Sequence, residues 1–249
     1  MSLPSIETFA FPVTVPSTGK TVAIRPFLVR EEKLLLMAEE SKNLTDQVDA
    51  VAQLIRNCTN GEVEPRRTPF FDIEYLLIQL RARSVGESTS PIYQCHHVLE
   101  GETTCDYKTP IPINLLDINV SGVDRNPDKF LVRLSDRYTL KLRYPTIYTV
   151  HELAVASIPE QTRTHDFMVY LCDIFDTVTD ETTGTVDDFE DTTIEERLAF
   201  LESISPKKYE EIIDFLGNLP TVQHTITYTC ERCGFVHTLV LSGVMDFLA

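Results

Sequence analysis

In YTCERCGF, residues 228–235, Cys230 and Cys233 stand three positions apart with Gly234 directly behind them. A C-x-x-C-G turn aims two thiolates at one point, and the glycine permits the tight backbone. Two thiolates rarely hold zinc alone, because a structural zinc takes four ligands in a tetrahedron. The complement lies far upstream in YQCHHVLEGETTC, residues 93–105, as Cys95 and Cys105. The expectation is a structural Zn2+ bound by Cys95, Cys105, Cys230 and Cys233, which clamps the end of the chain to its middle. Four thiolates leave no open coordination position, so such a zinc is architectural. Nine residues separate Cys95 from Cys105, more than in an ordinary knuckle. That interval works if HHVLEGETT protrudes between two strands, and His96 or His97 can replace one thiolate. The competing reading is a bare turn at Cys230 and Cys233 with no metal. Cys58 and Cys172 fall on apolar helix faces and read as packed thiols.

The rest of the composition sets the context for that clamp. The chain has 249 residues, 43% hydrophobic and 24% charged, enough to bury a sizeable core without help from a metal. Its formal net charge of −16 argues against a nucleic-acid backbone as partner, since such binding rests on clustered Lys and Arg. Much of the acidity falls in residues 173–196, DIFDTVTDETTGTVDDFEDTTIEE, which reads as a solvated acidic loop. MSLPSIETFAFPV has no basic segment followed by an apolar one, so no signal peptide is expected, and no apolar run is long enough to cross a bilayer. The expected setting is a reducing cytosol, where paired cysteines more often mean metal than disulfide.

Periodicity supplies the elements. Residues 8–27 predict a β-hairpin about the turn Pro16-Ser17-Thr18-Gly19. Helices are expected over 28–40, 45–58 and 70–82. The second carries Leu44, Val48, Val51, Ala52, Ile55 and Cys58 on one face. The third, FFDIEYLLIQLRA, is apolar on most sides and is expected to be buried. Short strands follow over 91–119, then a hairpin over 130–143 about Ser135-Asp136-Arg137. Thr149 with Glu152 predicts a capping box opening a helix. A helix over 164–178 places Phe167, Leu171, Ile174, Phe175 and Val178 on one face. Thr193 and Glu196 predict a second capping box, and Ser205-Pro206 opens a helix that Gly217-Asn218 closes. The final stretch predicts two alternating strands about the C-x-x-C turn.

The expected fold class is α+β: helices with short antiparallel hairpins and a composite zinc ribbon formed by sequence-distant halves. Three regions follow. Residues 1–90 form an N-terminal hairpin and helical region, and 91–119 plus 221–249 form the ribbon region. Residues 120–220 form an inserted hairpin and helical region.

No catalytic constellation emerges. Gly19-Lys20-Thr21 lacks the second glycine of a phosphate loop, since Thr14 holds that position, and a strand follows it. His151-Glu152 lacks the second histidine of a metalloprotease helix, because Val155 stands there. The acidic run from Asp176 to Asp191 lacks the spacing of a calcium loop. No small-molecule substrate is expected, and the chain is not expected to be an enzyme.

The ordered segments PSTGK (16–20), Ile24–Ala38, Phe71–Glu87, Leu140–Thr146 and CERCGF (230–235) resemble the baseplate protein family of T-even-type contractile-tailed phages. The resemblance runs over most of the chain. It implies a baseplate hub component or chaperone-like hub-assembly protein that works by binding other phage baseplate or tail-hub proteins. It also implies residence in the host cytoplasm during assembly, or in the virion, and carries no catalytic residues. Exposed hairpin edges fit such a role. The arginines Arg81 and Arg83 meet either carboxylates of the same fold or a partner. A zinc-ribbon nucleic-acid or transcription adaptor is the alternative, opposed by the acidic balance.

Overall fold

Alternating apolar residues make the first hairpin, in which strands β1 (Phe11–Thr14) and β2 (Thr21–Ile24) pair antiparallel and turn Val13, Val22 and Ile24 inward. The computed structural model describes residues 8–99, 103–150 and 163–248. Gly19 reverses the chain at φ +69°, which favours glycine. Helix α1 (Val29–Ser41) and helix α2 (Leu44–Cys58) follow. Asn43 caps α2 by accepting the Thr45 N–H at 2.9 Å. The predicted face of α2 is buried at Ala52, Ile55 and Cys58, while Leu44, at its very start, stays exposed. Burial pushes the Cys58 thiol up to about 11 and the Cys172 thiol up to about 12, as expected of inert packed cysteines.

Helix α3 (Phe70–Ser84) is the spine. Phe71 joins one apolar cluster, Ile73, Leu76 and Leu80 a second, and Ile78 and Ala82 a third. A helix apolar on most sides has this outcome available to it and few others. Its two buried acids find partners: Glu74 accepts the Val244 N–H at 3.0 Å, and Asp72 accepts the Ser17 N–H at 3.0 Å together with the Ser17 hydroxyl. The arginines at its end turn inward to the same fold. Arg83 pairs with Glu87 at 2.8 Å and lies over the Phe11 ring, and Arg81 donates to the Gly86 carbonyl.

Burial raises the Asp72 carboxyl to about 6 from its usual 3.8, against the pull of the Ser17 donors and of Arg125. The folded chain therefore holds this proton more tightly than the unfolded one. The associated stability is present below about pH 4 and is lost as pH rises through about 6. Asp72→Asn is expected to flatten this part of the dependence. Urea unfolding at intervals from pH 4 to 6 measures it, and parallel curves for wild type and variant would contradict it.

Short ladders connect α3 to the middle of the chain. β3 (Ser88–Thr89) pairs with β6 (Ile113–Asn114), and β4 (Ile92–Gln94) with β5 (Lys108–Pro110). β7 (Asn119–Ser121) joins the C-terminal strands β12 (Thr221–Thr229) and β13 (Val236–Ser242) in a sheet of order β13-β12-β7. That sheet sets Val222, Ile226 and Leu241 against Ile78 and Ala82 of α3.

A second sheet, ordered β11-β10-β9-β8, comprises β8 (Leu131–Arg133), β9 (Tyr138–Leu142), β10 (Phe175–Asp180) and β11 (Thr185–Asp188). The hairpin predicted over 130–143 is its β8–β9 half. The other half corrects two expectations. The helix expected over 164–178 stops at Asp173, and residues 175–180 form a strand beside β9. Phe167, Leu171, Ile174, Phe175 and Val178 do recur at helical spacing, yet the β-branched run Thr177-Val178-Thr179 suits a pleated strand, and β9 is there to pair with it. The acidic loop is likewise a hairpin, with β11 fully solvated and Asp180 buried against Arg137 at 2.7 Å.

Helix starts follow the predicted chemistry with two adjustments. Thr193 and Glu196 form the reciprocal box that opens Ile194–Ser203. Pro206 sits in the first turn of Pro206–Gly217, but the Ser205 side chain makes no capping bond. Thr149 does not start a helix: residues 147–150 are already helical, with Thr146 as the cap. The Thr149 N–H donates to Thr146 Oγ1 at 3.3 Å, and the Thr146 N–H donates to Thr149 Oγ1 at 3.4 Å. Glu152, the other half of the expected box, lies outside the described residues. Among the described residues no helix is long and apolar enough to cross a membrane.

Candidate metal centre

The β4–β5 ladder continues past its named strands to deliver the first two thiols. The Cys95 N–H bonds to the Tyr107 carbonyl at 2.8 Å, and the Asp106 N–H bonds to the Cys95 carbonyl at 3.0 Å. Two residues thus face one, a bulge that Asp106 absorbs at φ +53°. Farther out, the Cys105 N–H bonds to the His97 carbonyl at 2.9 Å, and Val98 bridges Thr104. The wide interval between Cys95 and Cys105 is the outer end of a hairpin, which is how a long insert can still present two sulfurs together.

The second pair comes from the turn between β12 and β13. The Gly234 N–H bonds to the Cys230 carbonyl at 2.9 Å, the Cys230 N–H bonds to the Phe235 carbonyl at 2.9 Å, and Gly234 sits at φ +71°. Arg232 Nη1 reaches across to the Cys105 carbonyl at 3.0 Å, and the Tyr107 hydroxyl donates to Glu231 at 2.9 Å. These bonds tie the two hairpin ends face to face.

The four cysteines meet as the sequence predicts. The sulfurs of Cys95, Cys105, Cys230 and Cys233 all lie within 4.8 Å of one another. Cys95–Cys233 and Cys105–Cys230 are each 3.7 Å apart, too far for a disulfide bond of about 2.05 Å. Sulfurs placed about 2.3 Å from a central tetrahedral ion stand about 3.8 Å from each other. The two closest pairs therefore already hold that edge length, and the cluster is compatible with a bound metal.

The local donors suit thiolates. The backbone N–H of His97 serves Cys95, that of Tyr107 serves Cys105, and those of Arg232 and Cys233 serve Cys230. Burial pushes Cys95 up to about 12, and burial likewise raises Cys105. At Cys230 burial also acts upward, but the backbone N–H groups and neighbouring thiols outweigh it and hold this thiol at about 7.

Neither His96 nor His97 belongs to the cluster. The His97 ring stacks on Phe235, with centroids 4.2 Å apart. The imidazole at the site is His237, whose Nε2 lies 3.1 Å from Cys95 Sγ, within hydrogen-bond reach. Tyr228 stacks on its ring and Phe235 meets it edge-on. The sequence signal for His237 was its place on β13, four residues past Cys233, where strand register sets it opposite Tyr228.

A family model described as T4 bacteriophage base plate protein matches residues 8–249. No curated protein matches the chain, and no solved structure matches it.

Proposed function

Because this chain belongs to the family of T4 bacteriophage base plate proteins, we propose that it serves the baseplate hub as a structural or assembly component, and that it works by binding other baseplate proteins. The match over residues 8–249 carries this reading. Its action is that of a scaffold or a chaperone-like assembly factor in the host cytoplasm, rather than of an enzyme. The chain organises as the regions 1–90, 91–119 with 221–249, and 120–220.

In this reading the four-cysteine cluster holds one structural zinc, and the two hairpin ends form a composite zinc ribbon. Soft thiolates in tetrahedral array favour zinc or iron–sulfur centres, and four protein ligands suit a closed structural zinc. Cys95, Cys105, Cys230 and Cys233 would be the ligands. The His237 N–H and the four backbone N–H groups would offset the charge of the bound thiolates, as outer partners do in metal sites.

Co-purification of the tagged full chain with tail-hub subunits from infected cells tests the role. Association with hub subunits is the expected result, and a chain that joins no tail protein at any stage of infection overturns it. Native mass spectrometry of the same material is expected to show a mass increment of a single zinc per chain. A fully folded chain without metal would refute the zinc independently of the role.

A further inference from the structure

β13 is the outer strand of its sheet. β12 lies on one side of it, and among the described residues no strand lies on the other. The Gly243 N–H bonds to the Val222 carbonyl, and the Phe235 carbonyl accepts from Cys230. Antiparallel pairing alternates, so residues 235, 237, 239, 241 and 243 spend their backbone groups on β12, and Val236, Thr238, Val240 and Ser242 direct theirs outward. Asp246 already occupies the Ser242 N–H at 2.8 Å. The open run is therefore Val236 to Val240.

That run is unguarded. Its solvent face presents Val236, Thr238 and Val240 beside Thr225, Thr227 and Thr229 of β12, all uncharged and β-branched. Val236 and Val240 are more than half exposed, at 55% and 59%. The other edges of the three- and four-stranded sheets are defended in the usual ways: β11 carries Asp187 and Asp188, β8 carries Arg133, and β7 is only three residues long, while the strands of the two-stranded sheets run four residues or fewer. A seven-residue edge without charge or proline, in a chain of net charge −16, invites pairing.

We propose that β13 receives an added strand from another protein, an extended segment of uncharged β-branched residues flanked by lysine or arginine. This rests on the proposed binding role and supplies its surface. Exposed carboxylates stand beyond both ends of the strand, Glu231 before it and Asp246 after it; each accepts a bond from a neutral donor and keeps its charge, while the neighbouring Arg232 is turned toward the Cys105 carbonyl. A second copy of the chain would bring its own −16 to the contact, which disfavours self-pairing. A basic-flanked strand meets both conditions, using main-chain bonds for affinity and its ends for steering.

The test uses the full chain and a labelled peptide of alternating threonine and valine with two lysines at each end, followed by fluorescence anisotropy at low salt. One peptide is expected to bind per chain, with the same peptide carrying glutamates at its ends at least about 10-fold weaker. Thr238→Pro removes an outward N–H and leaves the β12 ladder intact. It is expected to weaken binding at least about 10-fold with metal content unchanged. Val240→Lys, which charges the face without touching the backbone, is expected to act the same way if the proline variant folds poorly. Absent binding, indifference to the charge of the ends, or equal binding by both variants overturns the proposal. So does a wild-type dimer that Thr238→Pro dissolves, which would make a second copy the occupant. The hub reading fails separately, by the absence of tail association.

Discussion

Replacing Cys230 with serine is expected to abolish binding of the proposed zinc and to loosen the facing ends of the two cysteine-bearing hairpins before any other part of the molecule. Among the described residues the apolar packing around Cys95, Cys105 and Cys230 is slight, with Leu99, Tyr107 and Cys233 as its partly buried members, and a few polar contacts such as Arg232 to Cys105 add to it. Metal binding at comparable structural sites supplies on the order of 10 kcal/mol, far above what so small an apolar cluster contributes. The lower half of the same hairpin is anchored differently, through Val222, Ile226 and Leu241 in the core against α3. Proteolysis is therefore expected to cut first near residues 228–236 in the variant, and to spare that region in the wild type. Equal resistance there, or undiminished zinc in the variant, would contradict the role of Cys230. Cys58→Ser, a buried change remote from the cluster, is expected to cost about 0.5–3 kcal/mol and to leave the zinc in place.

Arg25→Ala is expected to destabilise the fold by about 1–3 kcal/mol, the usual cost of removing a hydrogen-bond partner from a buried charged group. The charge in question is Glu31, only 1% exposed at the start of α1. Its carboxylate accepts from Arg25 Nη2 at 2.8 Å, from Arg30 Nε at 2.8 Å and from the Leu28 N–H at 2.9 Å. Burial acts to raise this carboxyl, but the hydrogen bonds from Arg25 and Arg30, with that from Leu28, hold it down at about 2. A depressed carboxyl contributes stability that is present above about pH 4.5 and is lost as pH falls toward about 2. Arg30, itself largely exposed, keeps its 2.8 Å contact with Glu31 in the variant, so the carboxylate loses one of two cationic partners. Glu31→Gln placed on top of Arg25→Ala is expected to recover part of the loss, because it removes a buried charge left with Arg30 as its cationic partner. Urea denaturation of both variants measures this, and a loss under about 1 kcal/mol for Arg25→Ala would show that water reaches Glu31 after all.

Much of this was legible before folding because the signals were local. The C-x-x-C-G turn, the PSTG turn, the Thr193–Glu196 box and the all-round apolarity of α3 each involve residues close in sequence. The pairing of the two cysteine sets was also legible, because the coordination chemistry of zinc demands four ligands and only two other spare thiols lay in strand-like surroundings. Strand β10 was not, since one partner, β9, lies more than thirty residues upstream and the other, β11, sits in the acidic run that reads as a solvated loop. Phe175 and Val178 satisfied the helical spacing as well as the strand pattern, and only the waiting edge of β9 decides between them. The start of the helix at Thr146 was missed for a related reason: two threonines can close a box that the usual pattern assigns to threonine and glutamate. His237 joined the cysteine cluster through cross-strand register, which an isolated histidine does not announce.

The distance along the chain between the two halves of the clamp has a consequence for synthesis. Cys105 and Cys230 are separated by 125 positions. At ordinary rates of translation about 6 to 25 s pass between the emergence of one and of the other from the ribosome. During that interval Cys95 and Cys105 lack the second pair of thiols, and β7 lacks its partner strand β12. The two hairpin ends therefore cannot meet until Cys230 and Cys233 have emerged, and a metal that needs all four thiols, such as the proposed zinc, is taken up only after that point.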